Sequence, residues 1–458
     1  MNSVLRFFLD PTQGSIEPRR FQVFNERTLD RIEALRELPE EMRFEMQVVS
    51  SVLPFRVNQY VIDELIDWSR VPDDPIFQLT FPQRGMLEPA AFERMAAMHE
   101  RGAGREEISA LAGDLRGQLN PHPAGQMELN RPTDSDGKVV DGLQHKYRET
   151  VLFFPSQGQT CHSYCTFCFR WAQFVGDKAL RIASSETENM LGYLRAHRDV
   201  SDLLLTGGDP MVMKARNLAQ YLEPLLGPEY DHVRTVRIGT KALSFWPYRF
   251  VTDNDADDLL RLLERMVDAG KNVAVMAHYN HWREMDTPIA RVAIRRLRET
   301  GATIRSQGPL LAHINDRAED WARLWRDQVG LGIHPYYMFV ERDTGARHYF
   351  EVPLARAWEI YRDAMQSVSG LSRTARGPSM SAGPGKVEIQ GITEIRGEKV
   401  FVLRFLQGRN PDWVQRPFFA RYDPHATWLE QLQPAFGEDR FFFESEYAAM
   451  IARPDAAA

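Results

Sequence analysis

The residues best placed to do chemistry are Cys161, Cys165 and Cys168, the only three cysteines among 458 residues. They lie in Cys161-His-Ser-Tyr-Cys165-Thr-Phe-Cys168-Phe-Arg170, directly after an apolar, β-branched run, where a strand-end loop would expose them. Thiolates are soft ligands suited to iron–sulfur clusters or zinc, and three at this spacing converge only if the loop wraps around the metal. On a [4Fe–4S] cluster, three protein ligands leave one iron open to chelate a substrate or cofactor. A zinc ion completed by His162 is the simpler alternative, but zinc sites favour paired C-x-x-C knuckles and this chain has no second pair. Three thiols so close together cannot form a disulfide framework, which points to a reducing, cytoplasmic compartment and leaves them free for metal.

Such a loop needs a frame. From Val151 onward, short apolar runs alternate with amphipathic stretches, the pattern of a parallel sheet with crossover helices. The runs cover residues 151–155, 202–206, 235–239, 272–277, 302–307 and 333–340. Between them, Asp253 or Asn254 caps a helix that buries Leu259, Leu262, Leu263 and Met266 and ends before Gly270. The next helix has Thr287 as cap, Pro288 in its first turn, a stripe of Ile289, Ala293 and Leu297, and Gly301 past its end. The fold class is therefore α/β, a partial (β/α)6 barrel with ligands at the strand C-terminal ends, a helical N-terminal region and a C-terminal β-hairpin extension.

The expected divisions are a helical region over 1–88, broken at Val71-Pro-Asp-Asp-Pro75, and a helical insertion and linker over 89–142. The barrel takes 143–345 and a C-terminal region 346–458. Residues 387–395 and 399–406 alternate around Arg396-Gly397-Glu398 as a hairpin. Hydrophobic residues at 43% and charged residues at 26% describe an ordinary globular chain, and no basic stretch argues for nucleic acid. The N-terminal decapeptide lacks a leader's apolar run, and no segment approaches the roughly 18 apolar residues of a membrane span.

The cysteine loop, with Phe167 before its last thiol, resembles the signature of the radical S-adenosylmethionine superfamily. That resemblance implies S-adenosylmethionine chelated to the open iron and cleaved by one electron to a 5′-deoxyadenosyl radical. Leu205-Thr-Gly207-Gly208-Asp209-Pro210 resembles the superfamily's methionine-binding turn, in which glycines allow close backbone approach and Asp209 can accept from the ammonium. The resemblance extends to the lysine 2,3-aminomutase family over roughly residues 20–88 and 143–395. It is carried by Val71-Pro-Asp-Asp-Pro75, His145-Lys-Tyr147, Cys168-Phe-Arg170, His278-Tyr-Asn-His281, Gln307-Gly-Pro-Leu-Leu-Ala-His-Ile-Asn-Asp316, His334-Pro-Tyr-Tyr337 and Ala382-Gly-Pro-Gly-Lys386.

This resemblance implies that Lys386 forms an imine with pyridoxal phosphate, that Arg170 takes the substrate carboxylate, and that Gln307 belongs to the cofactor site. It also implies 1,2 migration of an amino group, a homo-oligomer, a small amino acid substrate and an electron donor such as flavodoxin or ferredoxin. The sequence departs from the family in places. Arg342 and Ser379 stand where aspartates hold lysine's distal ammonium, so the expected substrate is not free lysine and is one that an arginine could pair, such as glutamate. A one-residue shift puts Glu341 there instead. Thr150 replaces the arginine that grips pyridoxal phosphate, with Arg148 a substitute from a shifted register, and the family's zinc cysteines are absent. Two alternatives stay open: a pyridoxal-free radical enzyme acting on another metabolite or a peptide, and a non-catalytic iron–sulfur sensor.

Overall fold

The computed structural model describes residues 16–134, 136–176 and 181–452; the decapeptide read above as unlike a leader lies outside them. In the N-terminal region, β1 (Val23–Asn25) pairs antiparallel with β2 (Arg56–Asn58) beside α1 (Glu40–Val52). The region is thus not purely helical, because strands of three residues show no period and their pairing is non-local. Next come α2 (Pro75–Thr80), α3 (Pro89–Glu100) and α4 (Arg105–Gly117), the last two lying in the stretch expected as a helical insertion and linker. The Pro/Asp break has a mechanical cause. Pro75 occupies the first turn of α2, and Asp74 accepts from the Ile76 and Phe77 amides at 3.0 and 2.9 Å. Asp74 is also fully buried and ion-paired to Arg283, which pins this region to the barrel.

The remaining strands are β3 (Leu143–Tyr147), β4 (Thr150–Phe153), β5 (Asp202–Leu205), β6 (Thr235–Thr240), β7 (Asn272–His278), β8 (Thr303–Leu310), β9 (His334–Val340), β10 (Arg376–Ser381), β11 (Gly385–Ile395), β12 (Glu398–Gly408) and β13 (Pro417–Arg421). They form one eleven-stranded sheet in unbroken chain order. The six expected runs are β4 to β9, all parallel. A seventh parallel strand, β10, joins β9, and the antiparallel β11 to β13 continue from it, so the hairpin extends the barrel sheet itself. The sequence hid β10 because Gly377 and Pro378 read as a turn. Antiparallel β3 covers the opposite edge.

The crossover helices are α5 (Thr187–Ala196), α6 (Ala215–Leu222), the short α7 (Ala242–Phe245), α8 (Ala256–Asp268), α9 (Pro288–Glu299) and α10 (Ala318–Gly330). After β9 come α11 (Arg347–Phe350), α12 (Leu354–Gln366) and, near the end, α13 (Glu444–Ala452). Helix α9 starts as its sequence dictates, with Thr287 accepting from the Ala290 amide. Helix α8 instead takes Asp255 as its N-cap position. Asp253 is engaged by the Trp246 indole, and the Asp255 carboxylate binds Arg249 and the Ala215 amide. Period-two alternation divides the sheet. Val151, Leu203, Leu205, Val236, Ile238, Val275 and Ile304 are buried in the core cluster shared with the helices. The alternate residues Leu152, Leu204, Arg237, Gly239, Met276, His278, Gln307, Tyr337 and Phe339 face the barrel interior.

Candidate active site

The interior residues line a cavity of about 320 Å³. Its walls bring together every site residue expected from the sequence: Cys161, Cys165, Cys168, Arg170, Gly207, Gly208, Asp209, Gln307 and Lys386. The cysteine loop follows β4 and is held from below by the N-terminal region. The Tyr164 amide donates to Arg56 O at 2.8 Å, the Thr166 amide to Leu79 O at 3.0 Å, and Asn58 Nδ2 reaches His162 O, Ser163 Oγ and Phe245 O. The cysteines are free thiols, partly exposed, and burial raises all three above the usual range, Cys168 to about 11. Cationic metal is what would hold them as thiolates. Among the described residues no three His, Cys, Asp or Glu side chains are grouped to hold one ion. Three thiols of one loop on one cavity wall suit a cluster, in which each thiolate takes a different iron.

The glycine turn is clasped to this loop. A Cβ on Gly208 would lie 2.4 Å from Thr160 O and 2.6 Å from Thr160 N, and one on Gly207 would meet the Gln159 side chain at 2.2 Å. The Asp209 amide donates to Thr160 O at 2.7 Å and to Gly158 O at 3.0 Å. Asp209's own carboxylate accepts from Met211 N, Thr240 Oγ1 and Lys241 N, bracing the turn against β6. Burial raises its pKa while these bonds oppose the rise.

The Arg170 guanidinium lies 5.2 and 4.8 Å from the ring centroids of Phe154 and Phe169. Nη1 donates to Thr206 Oγ1, and Nε is buried without a partner. Burial draws its pKa down to about 10, with the Arg342 charge adding to the effect. Lys386 enters at the start of β11, its Nζ 3.2 Å from Gln407 Oε1 and 4.2 Å from the Tyr337 ring centroid. Burial, then Arg237, Arg376 and Arg342, bring its amine down to about 7. Gln307 stands on the β8 wall, its backbone carbonyl accepting from the Tyr279 amide.

The positions that depart from the family divide. Thr150, Glu341 and Arg342 reach the cavity wall. Ser379 is fully buried in β10 with an unpartnered hydroxyl and is not part of that wall. Arg148 is exposed and paired to Glu149, so it does not replace a cation at Thr150. Lys146 does face the cavity, from the irregular pairing of β3 with β4, and donates to Ala382 O at 2.5 Å.

Sequence reasoning missed other parts. Lys241, bound to His278 O, Asn280 Oδ1 and Glu284, lines the wall beside His278, whose ring stacks 5.8 Å from Phe167 and whose Nδ1 lacks a partner. The Pro/Gly-rich linker forms a roof: Ala124, Gln126 and Asn130 line the cavity, tied down by Thr344 Oγ1 to Asn120 O and by Arg409 to Asn130 Oδ1. The turn composition of that segment was visible, but nothing in it indicated what it covers.

No protein-family model matches the chain. Among curated proteins it is 31% identical over 397 residues to the "Putative L-lysine 2,3-aminomutase" of Aquifex aeolicus, spanning 86% of this chain and 92% of that one. It is 30% identical over 244 residues to the L-lysine 2,3-aminomutase of Escherichia coli, spanning 52% and 66%. A solved radical SAM methyltransferase from Sphaerobacter thermophilus aligns over 64% of this chain and 94% of that one, with 15% identity and a TM-score of 0.34. With a cysteine loop, glycine turn and lysine on one cavity and a relative matched over nearly its whole length, the chain belongs to the lysine 2,3-aminomutase family of radical S-adenosylmethionine enzymes.

Proposed function

We propose that the protein catalyses a pyridoxal phosphate-dependent 1,2-amino migration on an amino acid other than free lysine. The observation that carries this reading is Lys386, a half-buried amine drawn toward neutrality on the same cavity as the three thiols. A neutral amine is what attack on a carbonyl carbon requires. When bound, the cluster with S-adenosylmethionine would supply a 5′-deoxyadenosyl radical, and pyridoxal phosphate a conjugated carbonyl to carry the nitrogen. Cys161, Cys165 and Cys168 would hold the cluster. Gly207 and Gly208 let the turn close against Gln159 and Thr160 of the cysteine loop, beside the place S-adenosylmethionine would take, and Asp209 holds that turn rigid. Arg170, with its unspent Nε, orients the substrate's α-carboxylate. Gln307 lines the cofactor wall. Thr150 brings no charge to a phosphate, but Lys146 on the neighbouring strand brings an amine whose charge, disfavoured by burial, a phosphate would restore. The roof residues Ala124, Gln126 and Asn130 add to the wall of a cavity whose volume of about 320 Å³ suits a small substrate.

The reading also calls for a one-electron donor such as flavodoxin or ferredoxin, a homo-oligomer and a cytoplasmic location. Among the described residues, no helix is long and apolar enough to cross a membrane. The uncharged Thr150 favours one rival, a radical enzyme of this lineage that works without pyridoxal phosphate. Anaerobically reconstituted protein incubated with pyridoxal phosphate, reduced with borohydride and digested separates the two. A stoichiometric pyridoxyl adduct on the Lys386 peptide is expected; no adduct together with intact S-adenosylmethionine cleavage would establish the rival.

A further inference from the structure

The charges on the cavity wall do not balance. Its basic side chains are Lys146, Arg170, Arg237, Lys241, Arg342 and Lys386. Arg237 is paired with Asp202 at 2.7 Å and Lys241 with Glu284. Of the wall carboxylates, Asp209 is spent on internal donors, and Glu341 is buried, a state that favours the neutral acid. Arg342 has no carboxylate within ion-pair distance among the described residues. Its guanidinium lies 5.0 Å from the Phe169 centroid, Nη2 makes only a 3.4 Å contact to Pro123 O in the roof, and Nε is buried without a partner. An arginine in this state has most of its planar fork of donors unspent, and Asp343, Glu341 and Glu430 act on its charge only from beyond ion-pair distance. It stands within electrostatic reach of both Arg170 and Lys386, so an amino acid that exchanges onto the carbonyl beside Lys386 and is held at Arg170 has a second guanidinium within reach of its far end.

We infer that Arg342 is a specificity-determining residue that receives a second, distal carboxylate, and that the substrate is an acidic amino acid. This rests on the amino-migration reading. The reaction is then an isomerisation: hydrogen leaves C3 and is returned at C2, the C2–N bond breaks as the C3–N bond forms, and no oxidant or reductant is consumed. A distal ammonium is repelled at this position, and a neutral amide offers Arg342 one acceptor without the opposite charge or the second oxygen of a carboxylate.

Calorimetric titration of the reconstituted protein, with and without pyridoxal phosphate, by L-glutamate, L-glutamine, L-aspartate, L-asparagine and L-lysine tests this. At least one acid is expected to bind about 10- to 100-fold more tightly than its amide, the range of a charge-assisted bond, and lysine more weakly than either. Arg342→Gln should erase that preference without weakening pyridoxal phosphate binding. Wild-type protein that ignores the acid–amide difference or prefers lysine would overturn the inference. So would a loss of pyridoxal phosphate affinity in Arg342→Gln, which would make Arg342 a phosphate ligand. The wild-type comparison needs no variant to fold. An acid preference without a Lys386 adduct would keep the subsite and remove the migration reading.

Discussion

Replacing Gly208 with alanine tests whether the glycine turn is built to the cysteine loop. The added Cβ would sit 2.4, 2.6 and 2.7 Å from the O, N and C atoms of Thr160. All three are backbone atoms one residue before Cys161, so no side-chain rotation relieves the contact. The turn or the loop must move, which also strains the 2.7 Å bond from the Asp209 amide to Thr160 O. Overpacking of this kind costs about 1–3 kcal/mol, and a weakened buried hydrogen bond about 1 more. The variant is therefore expected to be about 2–4 kcal/mol less stable. It should also retain less than half of the wild-type iron after reconstitution, because the strain falls on the ligand loop. Urea unfolding with fixed m-value and iron and sulfide stoichiometry are the assays. Gly113→Ala is the control, since its Cβ meets nothing within 4 Å inside α4 and should change stability by no more than about 1 kcal/mol, favourably. Wild-type stability together with a full cluster in Gly208→Ala would refute the proposed clasp.

Three further outcomes are expected. Because the Lys386 amine is brought down to about 7, pyridoxal phosphate capture should be slow below pH 6, rise through about pH 7 as the amine loses its proton, and level off above pH 8. A rise only near pH 10, seen in a stopped-flow absorbance series, would mean that the amine is not desolvated. Lys146→Met should weaken pyridoxal phosphate binding about tenfold while leaving pyridoxal binding unchanged, and equal losses for both would deny it a phosphate contact. Asp74→Ala strips two capping bonds from α2 and leaves Arg283 unpaired, so a loss of about 3–5 kcal/mol in urea unfolding is expected.

The barrel strands were legible because each is a continuous or alternating apolar run, a signal contained within a few residues. Helix α9 and the hairpin were legible for the same reason: Thr287-Pro288 and Gly301 mark one, and Arg396-Gly397, both with positive φ, mark the other. Strand β10 escaped because Gly377 and Pro378 carry turn signals, although Gly377 is required there by the approach of Met338 O, 2.3 Å from where a Cβ would lie. The β1–β2 pair escaped because its partners are far apart in sequence and short.

For the site, residue type and spacing along the chain identified the thiols, the glycine pair and the two basic residues, since ligand chemistry depends on which atoms a short loop can present. The sequence alone therefore determined that three soft ligands share one short loop and that a glycine pair follows one β/α unit later. Tertiary structure decided what those atoms are free to do. It committed Asp209 to donors from β6, moved Ser379 off the wall, turned Arg148 to solvent, and set Lys146 and Arg342 into the cavity without a carboxylate partner. Hydrogen-bond satisfaction and charge balance are sums over neighbours from every part of the chain, and only the folded arrangement supplies those neighbours.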